Sequence, residues 1–410
     1  MSVYRFVNIG LRAVTLLSKF LLVFFLARYL AADAVGMYGL LAATIGYGIY
    51  VVGFEFYTYA NRELIGLQPS QLLCVIRDQF VLYAIIYLFF LPVLGFVFLQ
   101  GWLPFEYFFV FIILLLFEHV AQEANRILVA ISRPLLASVV LFVRSGIWCF
   151  IVIACMAWDS AFRNLGFVLL SWLLCCVIAC LVAAVSVFRV CGVIQWRPIR
   201  WAWVRRGVYV AIPFLLASLA IRGIYTFDRY WVEHLAGLEV LGAYTLYVGI
   251  STAILSFLDA GVVVFFMPRL VHAVKMRDFP AFRSGMRSLA SNVVIVVLVL
   301  AVLCWGGSFF VVNWLSSPVY SQQLNILYWL LLASVFYGLS TVPHLGLYAL
   351  GKDRHLMYSQ LVGLAVFVGV SYAFGTTFGA VSVAWAMASA FFVVLLWKSV
   401  VYFSQLNKVV

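Results

Sequence analysis

The sequence has little charge, and the charge it has is short of acid. Charged residues make up 10% of the 410 positions, with 14 acidic against 26 basic side chains. Hydrophobic residues make up 67%, a share that excludes a water-soluble domain of this length. The chain is therefore predicted to be a polytopic membrane protein. Its basic residues are spread among short connectors rather than gathered on a soluble domain, which argues against nucleic acid as a partner.

Other functional elements are missing as well. We find no nucleotide-binding glycine-rich loop, and the eight cysteines lack metal-type spacing, so we expect no disulfide, no metal and no cofactor. No cleavable signal peptide is evident, because Arg5, Arg12 and Lys19 interrupt the first apolar stretch, and we expect the first span to be retained. The predicted external connectors are too short for a catalytic platform, so we expect no enzyme activity.

Apolar runs define the predicted topology. About 20 apolar residues cross a bilayer as a helix, and breaks at charge, Pro and Gly divide the chain into twelve such spans. Their predicted limits are 9–30, 36–60, 79–100, 103–125, 135–157, 164–188, 208–231, 240–267, 289–312, 323–348, 356–374 and 379–402.

The distribution of Lys and Arg orients these spans. Twenty of the 26, Lys398 among them, fall on one side of the membrane, three fall on the other, and three lie inside spans. By the positive-inside rule, both termini are predicted to be cytoplasmic.

The two predicted halves, of six spans each, contain similar sequence motifs. Val35-Gly36-Met37-Tyr38 matches Leu241-Gly242-Ala243-Tyr244 at an offset of 206, and Asn61-Arg62-Glu63-Leu64 matches Pro268-Arg269-Leu270 at an offset of about 207. Because six is even, the repeat keeps its orientation, and its pseudo-twofold axis is predicted to run along the membrane normal. The predicted parts are an N-terminal six-helix bundle at 1–190, a cytoplasmic amphipathic connector at 191–206, and a C-terminal six-helix bundle at 207–410.

Two motifs carry a family resemblance. Leu26-Ala27-Arg28-Tyr29-Leu30 precedes the first Gly-x-Tyr motif, and Tyr225-Thr226-Phe227-Asp228-Arg229-Tyr230-Trp231 precedes the second. Together they resemble the polysaccharide transporter family. That family includes the O-antigen repeat-unit flippases, often called Wzx, within the superfamily that also holds multidrug and toxin extruders and lipid II flippases.

The resemblance implies an all-α, V-shaped pair of bundles that alternates between inward-open and outward-open forms. It implies a substrate of sugars linked to undecaprenyl diphosphate, flipped from the cytoplasmic to the periplasmic leaflet of a bacterial inner membrane. Membrane lipids and a polysaccharide polymerase or chain-length regulator are the implied partners. The family has no fixed catalytic motif, so only the Asp228-Arg229 and Gly-x-Tyr positions carry over.

Three cations, Lys19, Arg144 and Arg222, lie deep inside predicted spans. A fixed charge there costs about 2.5–3.5 kcal/mol on insertion scales, so each is predicted to face a cavity or a partner. Arg12 shares a helix face with Lys19, and Arg229 shares one with Arg222. These five are the candidate substrate-binding cations, and Lys19 and Arg222 are the best candidates for a shared central cavity.

Each of these cations has an alternative role, and the alternatives stay open. Arg12 and Lys19 also fit the role of positive-inside anchors, and Arg144 that of a structural partner of Glu118 or Glu123. For Arg222 and Arg229 the competing interpretation is an internal ion pair, with Asp228, Asp259 or Glu55.

Intramembrane acids and one histidine are candidates for ion coupling. Glu55 and Asp259 occupy nearly corresponding positions in the second and eighth spans. Acids at such depth serve proton or sodium coupling, or act as counter-charges to the cations, and both interpretations stay open. Glu118, Asp228 and His119 complete the set, His119 because the reference pKa of histidine is about 6.5.

Three functions follow from these patterns. A lipid-linked oligosaccharide flippase is the leading hypothesis. A multidrug cation extruder of the same superfamily is the alternative, and a membrane enzyme that acts on lipid-linked sugars is less favoured.

Overall fold

Helices make up all the regular structure of the residues that the computed structural model describes, which are 2–191, 197–315 and 317–409. The α-helices are α1 Ser2–Tyr29, α2 Ala32–Gly53, α3 Tyr57–Leu64, α4 Pro69–Leu99, α5 Phe108–Ala130, α6 Pro134–Phe142, α7 Trp148–Trp158, α8 Leu165–Cys191, α9 Trp201–Leu258, α10 Val264–Lys275, α11 Phe279–Trp314, α12 Pro318–Gln322, α13 Leu324–Ala349, α14 Asp353–Phe378 and α15 Ala380–Val409. Short π-helical turns at Val143–Ile147 and Asp259–Val263 join α6 to α7 and α9 to α10. The predicted all-α class is confirmed.

The membrane spans agree with the hydropathy pattern except where two of them join. Eleven helical segments of the described chain are long and apolar enough to cross a membrane. One of them, Trp201–Lys275, has 75 residues, or about 110 Å of helix, which is far more than one crossing requires. Gly237 interrupts it with φ 79° and ψ 176°. This segment therefore contains the two predicted spans 208–231 and 240–267, which brings the total to about twelve.

The chain folds as two compact units. One comprises residues 1–29 and 41–219, and the other comprises 30–40 and 220–410. In the first unit α1 packs against α6 and α7, and α5 packs against α8. In the second unit α15 packs against α13 and α14, and α10 forms a hairpin with α11. The first turns of α2 thus belong to the second unit, which sequence order alone does not suggest.

The region predicted to be an amphipathic connector is fastened to the first unit. Residues 192–196 lie outside the described residues, and Trp201 begins α9, so 201–206 are helix rather than a separate strap. The Trp203 ring lies 5.3 Å from the ring of Phe56. Arg200 places its Nε 3.0 Å from the Asp78 carboxylate. Aromatic packing and an ion pair therefore hold the start of α9 in place.

A close helix crossing inside the second unit follows the repeat. A Cβ atom at Gly36 would collide with the carbonyl oxygen of Leu238, and one at Gly242 would collide with the carbonyl oxygen of Ala32. Leu238 follows Ala32 by 206 positions, as Gly242 follows Gly36, so the contact is reciprocal. Glycine at both positions lets the backbones of α2 and α9 touch.

Irregular backbone marks three of the candidate charges. Phe54 and Glu55, between α2 and α3, have φ values of 53° and 52°, a conformation that costs about 1–3 kcal/mol per residue outside glycine. Arg144 and Asp259 each lie in a π-helical turn, a feature frequent at functional sites. Because Glu55 and Asp259 nearly correspond in the repeat, the helix is interrupted at a similar place in both halves.

Candidate functional site

Arg144 is held in a buried polar cluster of the first unit. Its Nε lies 3.6 Å from one oxygen of Glu118, and its Nη1 donates to the Gln122 amide oxygen at 3.4 Å. The thiol of Cys176 donates to the other Glu118 oxygen at 2.8 Å. Arg144 and Glu118 are both buried. This arrangement joins the π turn to α5 and α8, and Glu118 is one of the two partners that the sequence left open.

Lys19 lies beside this cluster without joining it. The residue is exposed on α1, whereas its neighbours Thr15 and Ser18 are buried. Arg144 and Glu118 lie within electrostatic reach of the ammonium. No ion pair or hydrogen bond of Lys19 is found within the described ranges. Two cations thus share a single nearby carboxylate, and the accessible one is Lys19.

Arg12, one heptad before Lys19, contacts α6. It is exposed, and its Nε donates to the Ser138 hydroxyl at 3.1 Å. Ser138 in turn donates to the side-chain oxygen of Asn8. The side chain of Arg5 lies outside the described residues. Arg12 is therefore anchored to a neighbouring helix of its own unit.

A second ion pair lies along α5, and two tyrosines contact it. Arg126 places its Nη1 2.5 Å from Glu123, and its guanidinium carbon lies 3.6 Å from the centre of the Tyr57 ring. The Tyr83 hydroxyl donates a hydrogen bond to Glu123 at 2.7 Å, and the Gln79 amide donates one to the same carboxylate oxygen at 2.9 Å. Sequence reasoning missed Gln79 and Tyr83. Their spacing of four residues on α4 was the available signal, because it puts both on one helix face.

His119 and Glu55 are buried near this network. Nδ1 of His119 lies 3.3 Å from the Tyr87 hydroxyl, and its Nε2 has no hydrogen-bond partner. A Cβ at Gly53 would lie 3.2 Å from that Nε2, so the missing side chain makes room for the ring. Glu55 is 4% exposed and accepts a hydrogen bond from Ser218 at 2.8 Å.

In the second unit, Asp228 forms an ion pair with Arg229. Nη1 of Arg229 lies 3.1 Å from the carboxylate, which is fully buried. Tyr244, from the second Gly-x-Tyr motif, donates to the other oxygen at 2.9 Å. The two positions carried over from the family resemblance therefore meet in one hydrogen-bonded cluster. Such a cluster fixes the two segments of α9 on either side of Gly237.

Arg222 and Asp259 lie near the same tyrosine. Both residues are exposed, and both lie within electrostatic reach of the Tyr337 hydroxyl. Arg222 is also within reach of Tyr225, whose buried hydroxyl has no hydrogen-bond partner. Within the described part of the chain, Asp259 has no ion pair.

Lys398 is a buried cation that the sequence placed on the cytoplasmic side. It is 1% exposed, inside α15, and its Nζ lies 5.6 Å from the centre of the Tyr337 ring. His344 is within electrostatic reach, and no described carboxylate pairs with the ammonium. The charge count misassigned this residue because it lies four positions before the predicted end of its span.

The fold that these sites occupy is that of multidrug and lipid-flipping membrane transporters. An inward-facing multidrug resistance MATE family transporter of the MOP superfamily superposes with a TM-score of 0.74, at 13% identity, over 98% of both chains. The lipid II flippase MurJ, in an inward closed conformation, gives a TM-score of 0.71 at 11% identity, over 98% of this chain and 87% of the other.

A Vibrio cholerae MATE transporter is also similar, with a TM-score of 0.60 at 13% identity, over 99% of this chain and 96% of the other. No family model and no curated protein matches the sequence. At these identities the similarity establishes the fold, and function has to be argued from the site.

Proposed function

We propose that the chain is an alternating-access flippase for an oligosaccharide linked to undecaprenyl diphosphate, which it moves from the cytoplasmic to the periplasmic leaflet. The observation that carries this proposal is the sign of the accessible charge at membrane depth. Lys19 and Arg222, one on the first helix of each half, are both exposed. The substrate class follows from what such charges bind.

Most of the intramembrane acids already have a partner. Glu118 lies against Arg144, Glu123 against Arg126, and Asp228 against Arg229. Glu55 accepts from Ser218 and is buried. These carboxylates therefore interact within the protein itself, and among the described residues the exposed candidate charges at this depth are the cations Lys19 and Arg222 and the acid Asp259.

A phosphate-bearing substrate is the chemistry that each of these cations fits. A guanidinium donates parallel hydrogen bonds to phosphate oxygens, and an ammonium supplies a compact point charge. A lipid-linked sugar has to bring its diphosphate through a region where an unpaired charge is costly. Each unit has an exposed cation, Lys19 in the first and Arg222 in the second, that would compensate such a charge while the lipid tail remains in the bilayer. The fold, shared with a lipid II flippase and with multidrug transporters, supports movement of amphiphilic cargo.

Removing either cation tests the proposal. We expect Lys19→Met and Arg222→Met each to lower surface polysaccharide by about 10–100-fold, the cost of one charge-assisted hydrogen bond of about 1.5–3 kcal/mol. The measurement is surface glycan in a host that lacks its own copy of the gene, with lipid-linked intermediate quantified in membrane extracts. The intermediate should accumulate as the surface glycan falls.

Two variants serve as controls. Arg354→Met removes an exposed cation outside the predicted spans and should leave the glycan intact, whereas Lys19→Arg keeps the charge and should retain transport. Protein abundance is followed by an epitope tag. Normal surface glycan in both Lys19→Met and Arg222→Met would contradict the proposed substrate class.

One observation favours the second candidate, a cation extruder. Asp259 is exposed, lies in a π-helical turn, and has no ion pair within the described residues. A carboxylate of this kind is what an organic cation requires. Under this alternative, Asp259→Asn would abolish resistance to cationic drugs, and Lys19→Met would not affect it. Under the flippase proposal, expression of the chain confers no drug resistance.

Lys398 is expected to contribute to transport at a cost in stability. Replacing a buried charge by a hydrophobic side chain of similar length stabilises a protein by up to about 1–4 kcal/mol. The contact with the Tyr337 ring stabilises the Lys398 ammonium by only about 0.5–2 kcal/mol. Lys398→Met should therefore melt at a higher temperature than the wild type while transporting less glycan. Lys352→Met, outside the predicted spans, is the control and should change neither. A lower melting temperature for Lys398→Met would mean that the ammonium is stabilised by a partner.

A further inference from the structure

A cleft lies between α10 and α11, where their hairpin leaves the membrane. It has a volume of about 560 Å³, and its polar lining comprises Arg269, His272, Asp278, Ser284 and Ser288. Two segments that are long and apolar enough to span the membrane, Trp201–Lys275 and Phe279–Trp314, end and begin here. Only three residues separate them, so the cleft lies at the level of the lipid headgroups.

Basic residues surround this cleft. Besides Arg269, the hairpin carries exposed Lys275, Arg277, Arg283 and Arg287. The only acid on this hairpin loop is Asp278, which accepts a hydrogen bond from the backbone N–H of Ala281 at 2.9 Å and so caps α11. Five permanent cations therefore stand against one carboxylate that is occupied locally.

The described part of the chain supplies no ion-pair partner for these cations. Within the described residues, none of the five has an ion pair or a side-chain hydrogen bond. Two cations of the first unit, Arg77 and Arg200, by contrast both pair with Asp78. The second unit thus presents a concentrated positive charge for which the described residues provide no counter-charge.

The lining has the donors and the apolar wall that a phospholipid requires. Arg269 offers a planar fork to phosphate oxygens, and Ser284 and Ser288 offer hydroxyls one turn apart on α11. Phe266, Leu270 and Met276 line the same cleft. A free phosphate ion would make no favourable contact with these apolar side chains, whereas the glycerol and upper acyl chain of a lipid would pack against them.

We propose that the α10–α11 cleft binds the phosphate headgroup of an anionic membrane phospholipid, with Arg269 as the principal ligand. The remaining cations attract the headgroup across the membrane surface, and the serine hydroxyls orient it. Basic pockets of this kind between membrane helices are suited to anionic lipids. The site is separate from Lys19 and Arg222 and does not depend on what the protein transports.

Lipid titration of the purified full-length chain tests the site. Protein in phosphatidylcholine nanodiscs is given increasing fractions of phosphatidylglycerol, and bound phosphatidylglycerol is counted by native mass spectrometry. The loss of one charge-assisted hydrogen bond to a phosphate lowers affinity by about 10–100-fold, so Arg269→Gln should weaken the binding of phosphatidylglycerol by about 10–100-fold. Raised ionic strength should weaken it further.

Two more variants separate a defined site from diffuse attraction. Ser284→Leu/Ser288→Leu keeps every charge but fills the cleft, and it should lose the tightly bound lipid. Lys352→Gln/Arg354→Gln removes two cations from another connector on the same predicted side and should retain it. Gel filtration verifies that each variant is folded.

Three outcomes would overturn the proposal. Unchanged binding in the filled-cleft variant would show that no defined site exists. Equal loss in the Lys352→Gln/Arg354→Gln variant would reduce the effect to overall charge. Displacement of the lipid by inorganic pyrophosphate at matched concentration would assign the cleft to a free diphosphate instead.

Discussion

Replacing Arg144 with methionine is expected to destabilise the first unit by about 3–5 kcal/mol, the usual cost of leaving one member of a buried ion pair alone. Glu118 would keep its charge, with a hydrogen bond from the Cys176 thiol and with the Lys19 ammonium only at electrostatic range. Both Arg144 and Glu118 are buried, so water cannot replace the guanidinium. The measurement is the midpoint of thermal unfolding of the purified protein in detergent.

The double variant Arg144→Met/Glu118→Gln distinguishes this cause from a packing defect. If the uncompensated carboxylate is the source of instability, removing its charge should restore most of the loss, and the two changes should be strongly non-additive. Arg12→Met, which removes an exposed arginine of the same unit, is the control and should shift the midpoint little. An Arg144→Met protein that unfolds at the wild-type temperature would mean that the Glu118 contact contributes nothing.

The close crossing at Gly36 and Gly242 predicts a second large effect on stability. Replacing glycine by alanine should destabilise the protein at one position of α2 and stabilise it at another. Gly242→Ala and Gly36→Ala place a Cβ against a backbone carbonyl, which cannot rotate away. We expect each to cost about 1–3 kcal/mol or more. Gly46, also on α2, has nothing within 4 Å of the position that a Cβ would occupy, so Gly46→Ala should stabilise the helix by up to about 1 kcal/mol.

Thermal unfolding and the yield of folded protein measure these three variants. Because Gly36 and Gly242 lie in the same contact, the double Ala variant should cost less than the sum of the two single variants. Equal stability of Gly242→Ala and Gly46→Ala would refute the close crossing.

Hydropathy and charge counts were sufficient to predict the all-α class and about twelve spans, because a bilayer requires an apolar helix of nearly fixed length. The repeat was visible for a similar reason: Gly36 and Gly242 are needed for a backbone contact that no larger side chain permits. The break between the predicted spans 208–231 and 240–267 also agrees with the structure, because Gly237 interrupts the helix there with a φ of 79°.

The side-chain environment of the charges was much harder to predict. Sequence spacing places Arg144 and Glu118 at membrane depth, but whether they meet depends on how α5 packs against the π turn. The burial of Lys398 was missed for another reason. Hydropathy locates the end of a span only to within one turn of helix, and a shift of one turn decides whether a lysine is buried in the protein or lies at the membrane surface. The π turns at Arg144 and Asp259 have no sequence signature that hydropathy detects.

The contact in which Gly36 meets Leu238 and Gly242 meets Ala32 has the form of a twofold dimer interface. Two copies of one ancestral half-length chain would make the same contact with each other, each supplying a glycine and a carbonyl. Within one chain the same contact forms as a folding step rather than an assembly step, so its strength does not depend on protein concentration. The two sides of the contact also need not be identical in one chain, and the basic α10–α11 hairpin lies in the second unit.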